Sequence, residues 1–249
     1  MSPGIKLPLI TVITVVFNGE KYLEKSIKSV VTQFYQNIQY IIIDGASTDN
    51  TVEIVKKYDK YIDFWVSEKD EGIYDAMNKA INISKGEMIF FLGADDIFSD
   101  KFVVDNIVDV YIKNNAKPMM IFGFVKNNFG KRIKSVFGSK LMLHNSLHHQ
   151  SCFYNAKAFI DFRYDISYKM ISDYELNLIL YLKNSIYIKI PRLISICQDG
   201  GISTNKKNFF NYVSETNSIR GKLVSTPKQI LFKLAFIIKS YLHHVIRHF

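Results

Sequence analysis

The chain has 249 residues, 48% of them hydrophobic and 22% charged, which allows one large core or two small domains and excludes a disordered polypeptide. Lys and Arg total 32 against 23 acids, a net charge of +9, so an anionic partner such as a phosphate, a nucleic acid or a lipid surface has to be weighed. Eight basic residues against the single acid Glu215 fall between Asn205 and Phe249, which leaves the first 204 residues nearly neutral.

Over the first 115 residues, short runs of Ile, Val and Phe alternate with helical patterns, the signature of a mainly parallel sheet covered by helices on both faces. Strands are expected at 9–16, 38–43, 62–67 and 87–92, and helices at 19–33, 49–58, 72–84 and 99–114. From Pro118 the texture changes: Met119 to Val125, Lys131 to Phe137 and Ser151 to Asn155 read as strands of mixed pairing. Ile171, Tyr174, Leu178, Tyr181 and Leu182 recur at helical spacing, and strands are expected at 185–190 and 192–198 before a loop opening at Gly200-Gly201. The expected organisation is one α/β domain over 1–204, with halves at 1–115 and 116–204, and a basic helical tail over 205–249.

Two cysteines, Cys152 and Cys197, lie in no CxxC or Cys/His pattern, which fits a reducing cytosol. Met1 to Leu9 has no secretory run, and no window reaches the roughly 18 apolar residues that a membrane-spanning helix needs.

Ligands of open α/β sheets bind outside the carboxyl ends of the strands. Here those ends carry Phe17-Asn18-Gly19, Asp44 to Thr51, Ser67 to Gly72 and Gly93-Ala94-Asp95-Asp96. Asp49 and Thr51 stand where helix caps belong. Asp44 precedes that helix start by several residues and sits at the strand end instead, which points to function. Asp95-Asp96 follows a fully apolar strand, and Ser99 and Asp100 already occupy the next cap. Adjacent carboxylates there suit a hard divalent ion that keeps waters for substrate phosphates.

Together, Ile10 to Asn18, Asp44 to Thr51, Glu68 to Ala80 and Gly93 to Asp96 resemble the family 2 glycosyltransferases of the GT-A fold, over about residues 8 to 204. The resemblance implies an α/β, Rossmann-like, mostly parallel sheet and an inverting, metal-dependent transfer of a sugar from a nucleotide-diphosphate sugar, a UDP-sugar first. By matching position, Phe17 and Asp44 would hold the base, Asp95 the ribose, and Asp96, with Asp95, Mn²⁺ or Mg²⁺ across the diphosphate. Asp70, Tyr74, Asp75, Asn78 and Lys79 would line the donor pocket. Asp173, in Ser172-Asp173-Tyr174-Glu175-Leu176, matches the family's catalytic base, although a helix N-terminus also favours an anion for structural reasons. Many members carry Arg where this chain has Met77, which shifts diphosphate neutralisation to the metal or to Lys79.

His149-Gln150 resembles an acceptor-side feature of polysaccharide-building members, with ordinary loop hydrogen bonding as the other reading; adjacency of His148 and His149 disfavours zinc. Gly200 to Thr204 suits either a plain turn or a loop closing over the donor, and in the second case Lys206 and Lys207 would reach the diphosphate. In the tail, Ile230, Leu234, Ile237, Ile238, Tyr241 and Val245 share one face of a helix and basic residues lie mostly opposite, so it either packs on the domain or lies on an anionic leaflet. The expected acceptor is a saccharide or lipid-linked acceptor in bacterial surface polysaccharide or lipopolysaccharide synthesis, and the expected location is cytoplasmic, peripheral on the inner face of the cell membrane. A sugar nucleotidyltransferase and a non-catalytic, membrane-attached nucleotide-sugar-binding module stay open as alternatives. A nucleic-acid partner is disfavoured, because the sheet edge is acidic and the basic residues sit in the tail.

Overall fold

The computed structural model describes residues 7–198 and 208–225. The β-branched run of β1 (Ile10–Val16) pairs in parallel with β2 (Ile38–Asp44) on one side and β4 (Met88–Phe91) on the other, and β2 pairs in parallel with β3 (Phe64–Ser67). Helices α1 (Leu23–Val31), α2 (Thr51–Lys57) and α3 (Ile73–Ile83) make the connections. Because β1 is buried on both faces, its side chains divide by alternation. Ile10, Val12 and Val16 join Leu23, Ile27 and Val30 of α1, together with Val104 and Ile107 of α4 (Val103–Lys113). Ile13 faces the opposite layer, with Tyr74, Met77, Ala80 and Ile81 of α3. Met77 is therefore a core residue, only 5% exposed, at a position where an arginine would bury its charge.

Beyond the parallel block the sheet turns mixed. Its order is β3-β2-β1-β4-β8-β6-β9-β5, with β7 (Arg132–Lys134) on β6. β8 (Cys152–Asn155) runs antiparallel to both β4 and β6 (Met120–Asn127), whereas β9 (Tyr187–Cys197) is parallel to β6 and antiparallel to β5 (Ile97–Phe98). The expected α/β architecture thus holds, parallel through the first four strands and mixed beyond.

Two local expectations need correction, and one short strand was not expected. The strands expected at 185–190 and 192–198 are one strand: the register slips opposite Gly123, so β9 bulges through Pro191 and Arg192 without ending. Only glycine fits there, since a Cβ on Gly123 would collide with the Arg192 carbonyl. The two-residue β5 lies between the strand expected at 87–92 and the helix expected at 99–114; among the described residues it pairs only with β9, 97 to 99 residues away in sequence, so no local pattern announces it. Helices begin later than expected, at Leu23, Thr51 and Val103, because the residues before them form turns at the sheet edge. Asp100, for example, accepts from the Phe102 amide at 2.8 Å and from Arg192 at 2.9 Å.

On the α3 side of the sheet lie α5 (Ser172–Leu182) and α6 (Phe209–Leu223). α6 falls past residue 204, yet Ile219 is fully buried in the core shared by α3 and α5, a burial worth about 1.5–3 kcal/mol. Among the described residues, no helix is long and apolar enough to cross a membrane. The expected loop at 200–204, Lys206, Lys207 and the amphipathic helix past residue 226 lie outside the described residues.

Candidate active site

Hydrogen bonds between the loops after β1 and β2 build one rim of the sheet edge. Asn18 Oδ1 accepts from the Thr48 amide at 2.9 Å, the Asn18 amide donates to Ser47 Oγ at 2.7 Å, and Glu20 Oε2 accepts from Asn50 Nδ2 at 2.8 Å. Asp49 belongs to this scaffold: it accepts from the amides of Thr51 at 3.0 Å and Glu20 at 3.1 Å. Phe17 stands free at the rim, 64% exposed.

Asp44 closes β2 and is sealed from water. Oδ1 accepts from Ser47 Oγ at 2.5 Å, and Oδ2 accepts from the Ser47 amide at 3.0 Å and from Ser67 Oγ, across on β3, at 2.5 Å. A carboxylate offers about four acceptor positions, so the donors of the described residues leave one on Oδ1 open. Asp70 packs its carboxylate against Gly45, next in sequence to Asp44, and accepts from the Gly72 amide at 2.9 Å. Two further donor-pocket expectations are engaged elsewhere. Lys79 binds Glu68 at 2.9 Å and Asp75 at 3.5 Å, and Asn78 clamps the Tyr164 backbone through N–H and C=O at 2.9 and 2.8 Å.

Two strands across, the turn after β4 presents Asp95 to solvent and buries Asp96. A Cβ on Gly93 would collide with Asp96 Oδ2 and press on Asp95 Oδ1 at 3.1 Å, so the two carboxylates share one small space above that glycine. Burial, with Asp95 beside it, pushes Asp96 up to about 7 despite the bond from the Gln198 amide at 3.0 Å. Two crowded carboxylate oxygens, one deprived of water, fit Mn²⁺ or Mg²⁺, which need only one or two protein carboxylates when waters and phosphates complete the shell. Among the described residues no group of three or more His, Cys, Asp or Glu side chains could hold a metal, and that includes the His144, His148 and His149 cluster.

The turn before β8 joins Asp96 to the start of α5. Gln150 has its amide beside Asp96 and is pinned through its carbonyl by Ser195 Oγ at 2.6 Å; His148 and His149 stack at 5.9 Å between their centroids. Among the described residues, His148 Nδ1 and Gln150 Oε1 are buried and find no hydrogen-bond partner. Beyond them Asp173, in the first turn of α5 and 7% exposed, accepts from Asn145 Nδ2 at 2.9 Å and from the Tyr74 hydroxyl at 3.4 Å. Burial pushes its carboxyl up to about 6 against the pull of those donors. His149 Nδ1 is 3.8 Å from Asp173 Oδ2, but burial lowers both histidines to about 4, so at neutral pH a neutral imidazole faces the carboxylate. Burial pushes the thiols of Cys152 and Cys197 up, so both stay protonated at neutral pH.

The structure therefore gathers Asp44, Asp70, Asp95, Asp96, Gln150, His149, Tyr74 and Asp173 along the carboxyl edge of the sheet. Sequence reasoning missed Asn145, Ser47 and Ser67, which hold the acids. Ser47 and Ser67 are polar residues at strand ends and could have been found on that ground; Asn145 sits in an irregular loop and carries no such signal.

Three comparisons bear on this arrangement. The family described as glycosyl transferase family 2 matches residues 11–167. An uncharacterized glycosyltransferase of Mycobacterium tuberculosis is 36% identical over 118 residues, 47% of this chain and 45% of the relative, so the match spans under half of that protein's length. Among solved structures, Staphylococcus aureus TarS 1-349 in complex with UDP-GlcNAc superposes with a TM-score of 0.70 at 16% identity, over 92% of this chain and 71% of that one. The mannosyltransferase PcManGT from Pyrobaculum calidifontis, in complex with GDP-Man and Mn²⁺, gives 0.65 at 15% identity, over 96% and 70%. At these identities the structural likeness concerns the fold.

Proposed function

Because the chain belongs to glycosyl transferase family 2, we propose that it moves a sugar from a nucleotide-diphosphate sugar, a UDP-sugar first, to a saccharide or lipid-linked acceptor, with inversion at the anomeric carbon. The observation that carries this reading is Asp173: a carboxylate nearly closed to water, held by Asn145 and Tyr74, with its proton affinity raised toward neutrality, on the same sheet edge as Asp44, Asp95 and Asp96.

In this reading Asp44 offers the open position on Oδ1 to a ring N–H of the base, and Phe17 covers the base face. Asp95 reaches the ribose, and Asp95 and Asp96 together would hold Mn²⁺ or Mg²⁺, which when bound neutralises charge on the diphosphate as a Lewis acid. With Met77 in the core and Lys79 paired to Glu68, no described lysine or arginine of α3 is free for that task. Asp173 takes the acceptor hydroxyl proton while the acceptor oxygen bonds to the anomeric carbon and the bond from that carbon to the diphosphate oxygen breaks. A base near pKa 6 is ionised at pH 7 yet still basic enough to share a proton in the transition state. His149 and Gln150 line the acceptor side, and the basic tail, with Lys206 at its start, brings the enzyme to an anionic membrane surface on the cytoplasmic side, where a lipid-linked acceptor resides.

A thermal-shift screen of UDP, GDP and UDP-GlcNAc, each with and without Mn²⁺, tests the reading. Stabilisation by one nucleotide that grows with Mn²⁺ supports it; no shift with any nucleotide overturns it. Deleting residues 227–249 should release the protein from anionic vesicles, and equal sedimentation with and without the deletion removes the surface role.

A further inference from the structure

α6 contributes to the site in a way that its charge pattern conceals. Glu215, the only acid past residue 204, points its carboxylate at the chain just ahead of α5. Oε1 accepts from the Lys169 amide at 2.8 Å, and Oε2 accepts from the amides of Met170 at 3.2 Å and Ile171 at 3.1 Å. These are three consecutive N–H groups converging on one anion at a helix N-terminus, 44 to 46 residues away in sequence. Ile171 is the residue on which α5 starts, its carbonyl accepting from Tyr174 at 2.9 Å, and Asp173 is two residues on.

The same helix also grips the segment on the other side of Asp173. Arg220, 6% exposed, donates to the carbonyls of Met142 and Leu143 at 3.4 Å each. The Tyr212 hydroxyl lies beside the Asn145 amide. Asn145 is the residue whose side chain binds Asp173. Both walls of the Asp173 pocket are thus hung on one helix, and Ile219 anchors that helix in the core.

We propose that Glu215 is a positioning residue for Asp173: by tying the amides of Lys169, Met170 and Ile171 to one carboxylate it fixes the first turn of α5, and with it the direction and burial of the Asp173 side chain. This rests on the reading of Asp173 as the base. If Glu215 serves only to attach α6, its loss lowers the melting temperature and leaves Asp173 as it is; if it positions Asp173, its loss loosens the turn and lets water reach the carboxylate.

The test uses the full chain without donor or metal, as E215Q and E215A. The Asp173 side-chain carboxyl ¹³C resonance, assigned by its absence in D173N, is titrated in each variant. The titratable groups facing Asp173 are Tyr74, Tyr154, Tyr164, Tyr212, Cys152 and the two histidines His148 and His149. The hydroxyls and the thiol are held neutral by burial and the histidines titrate near 4, so a change in the Asp173 midpoint above pH 5 reports its own exposure. The midpoint is expected near 6 in the wild type and at least about one unit lower in E215A, toward the ordinary carboxylate value. E215Q should fall between them, because a glutamine oxygen still accepts from Met170 and Ile171 while its NH₂ opposes the Lys169 N–H. The stabilisation by UDP with Mn²⁺ should be unchanged in both.

An Asp173 midpoint equal to wild type in E215Q, with or without a lower melting temperature, overturns the proposal; should E215A fail to fold, isosteric E215Q decides alone. Full turnover of a UDP-sugar by D173N would instead remove the base reading and leave the tie between Glu215 and Asp173 standing.

Discussion

Asp44 ends and Asp96 follows parallel strands two places apart in the sheet, and both are nearly sealed from water, at 1% and 2% exposed, yet their surroundings differ in kind. Asp44 takes three donors from Ser47 and Ser67 within its own rim. Asp96 has the Gln198 amide and the Gln150 side chain on one side and a second carboxylate, Asp95, on the other. Asp173 resembles Asp96: it has two donors, but not enough to offset burial, and its proton affinity rises. The β2 rim is a finished piece of structure that can lend one acceptor position to a ligand. The region from Asp96 to Asp173 is electrostatically incomplete until a cation or a proton arrives, which is what a site for charge neutralisation and proton transfer needs.

The largest expected effect breaks this contrast at Asp173, the proposed base. Asn at position 173 is nearly the shape of Asp: its oxygen can accept from Asn145 and its NH₂ can donate to the Tyr74 hydroxyl. D173N should therefore keep the UDP and Mn²⁺ thermal shift while UDP release from a UDP-sugar falls about 10²–10⁴-fold, the usual contribution of a general base. A turnover within threefold of wild type would assign the proton to another group.

At the finished rim, the expected effect is on stability. Asp44→Ala leaves the Ser47 amide, Ser47 Oγ and Ser67 Oγ without their acceptor in a buried place, at roughly 1–3 kcal/mol for each group that finds no substitute. With water reaching some of them the loss should be about 3 kcal/mol, or roughly 6–12 °C in melting temperature for a chain of this size. D44N, which retains one oxygen, should lose less. If D44A melts with the wild type, the serines have found other partners and the rim is less complete than its hydrogen bonds indicate.

The contrast also sets what could be read from the sequence. Asp44, Asp95 and Asp96 were legible because each follows a short apolar strand, and strand ends in a parallel sheet face one edge whatever the rest of the chain does. The start of α5 was legible from helical spacing, and Asp173 from the likeness of Ser172 to Leu176 to the family's acidic motif, since a place in a helix's first turn alone suits a structural anion equally well. The surroundings of Asp173 were not. Asn145 lies 28 residues before it in an irregular loop, Tyr74 lies 99 before it, and Glu215 enters from a helix whose composition registered only as basic. Such partners are chosen by tertiary packing, which leaves no period in the sequence. The same cause hid the single strand β9: Pro191 looks like a break unless Gly123 is known to lie opposite. Lys79 and Asn78 show the reverse problem, since their types suit a phosphate pocket while their bonds go to Glu68 and to the Tyr164 backbone.

The smallest effect expected is also the one of opposite sign, and it sharpens the comparison most. Asp96 titrates near 7 in the fold and near 3.8 when unfolded, so the fold holds its proton more tightly. The stability that this proton contributes is fully present below about 3.8, declines as the pH rises, and is gone above about 7. In EDTA, Asp96→Asn, which mimics the protonated acid and keeps an oxygen for the Gln198 amide, should leave melting little changed near pH 4 and raise it at pH 8. The full shift sets a ceiling of roughly 4 kcal/mol. Burial of Asp96 is the larger cause and the Asp95 charge the smaller; relaxation around the turn eases the first and water around exposed Asp95 screens the second, leaving about 1–2 kcal/mol, or roughly 2–8 °C. Adding Mn²⁺ with UDP should then stabilise the wild type and not D96N, so the order of the two proteins at pH 8 reverses. A D96N protein that melts below the wild type in EDTA at pH 8 would mean that Asp96 is paired at rest as completely as Asp44, and the distinction between the two ends of the sheet edge would be lost.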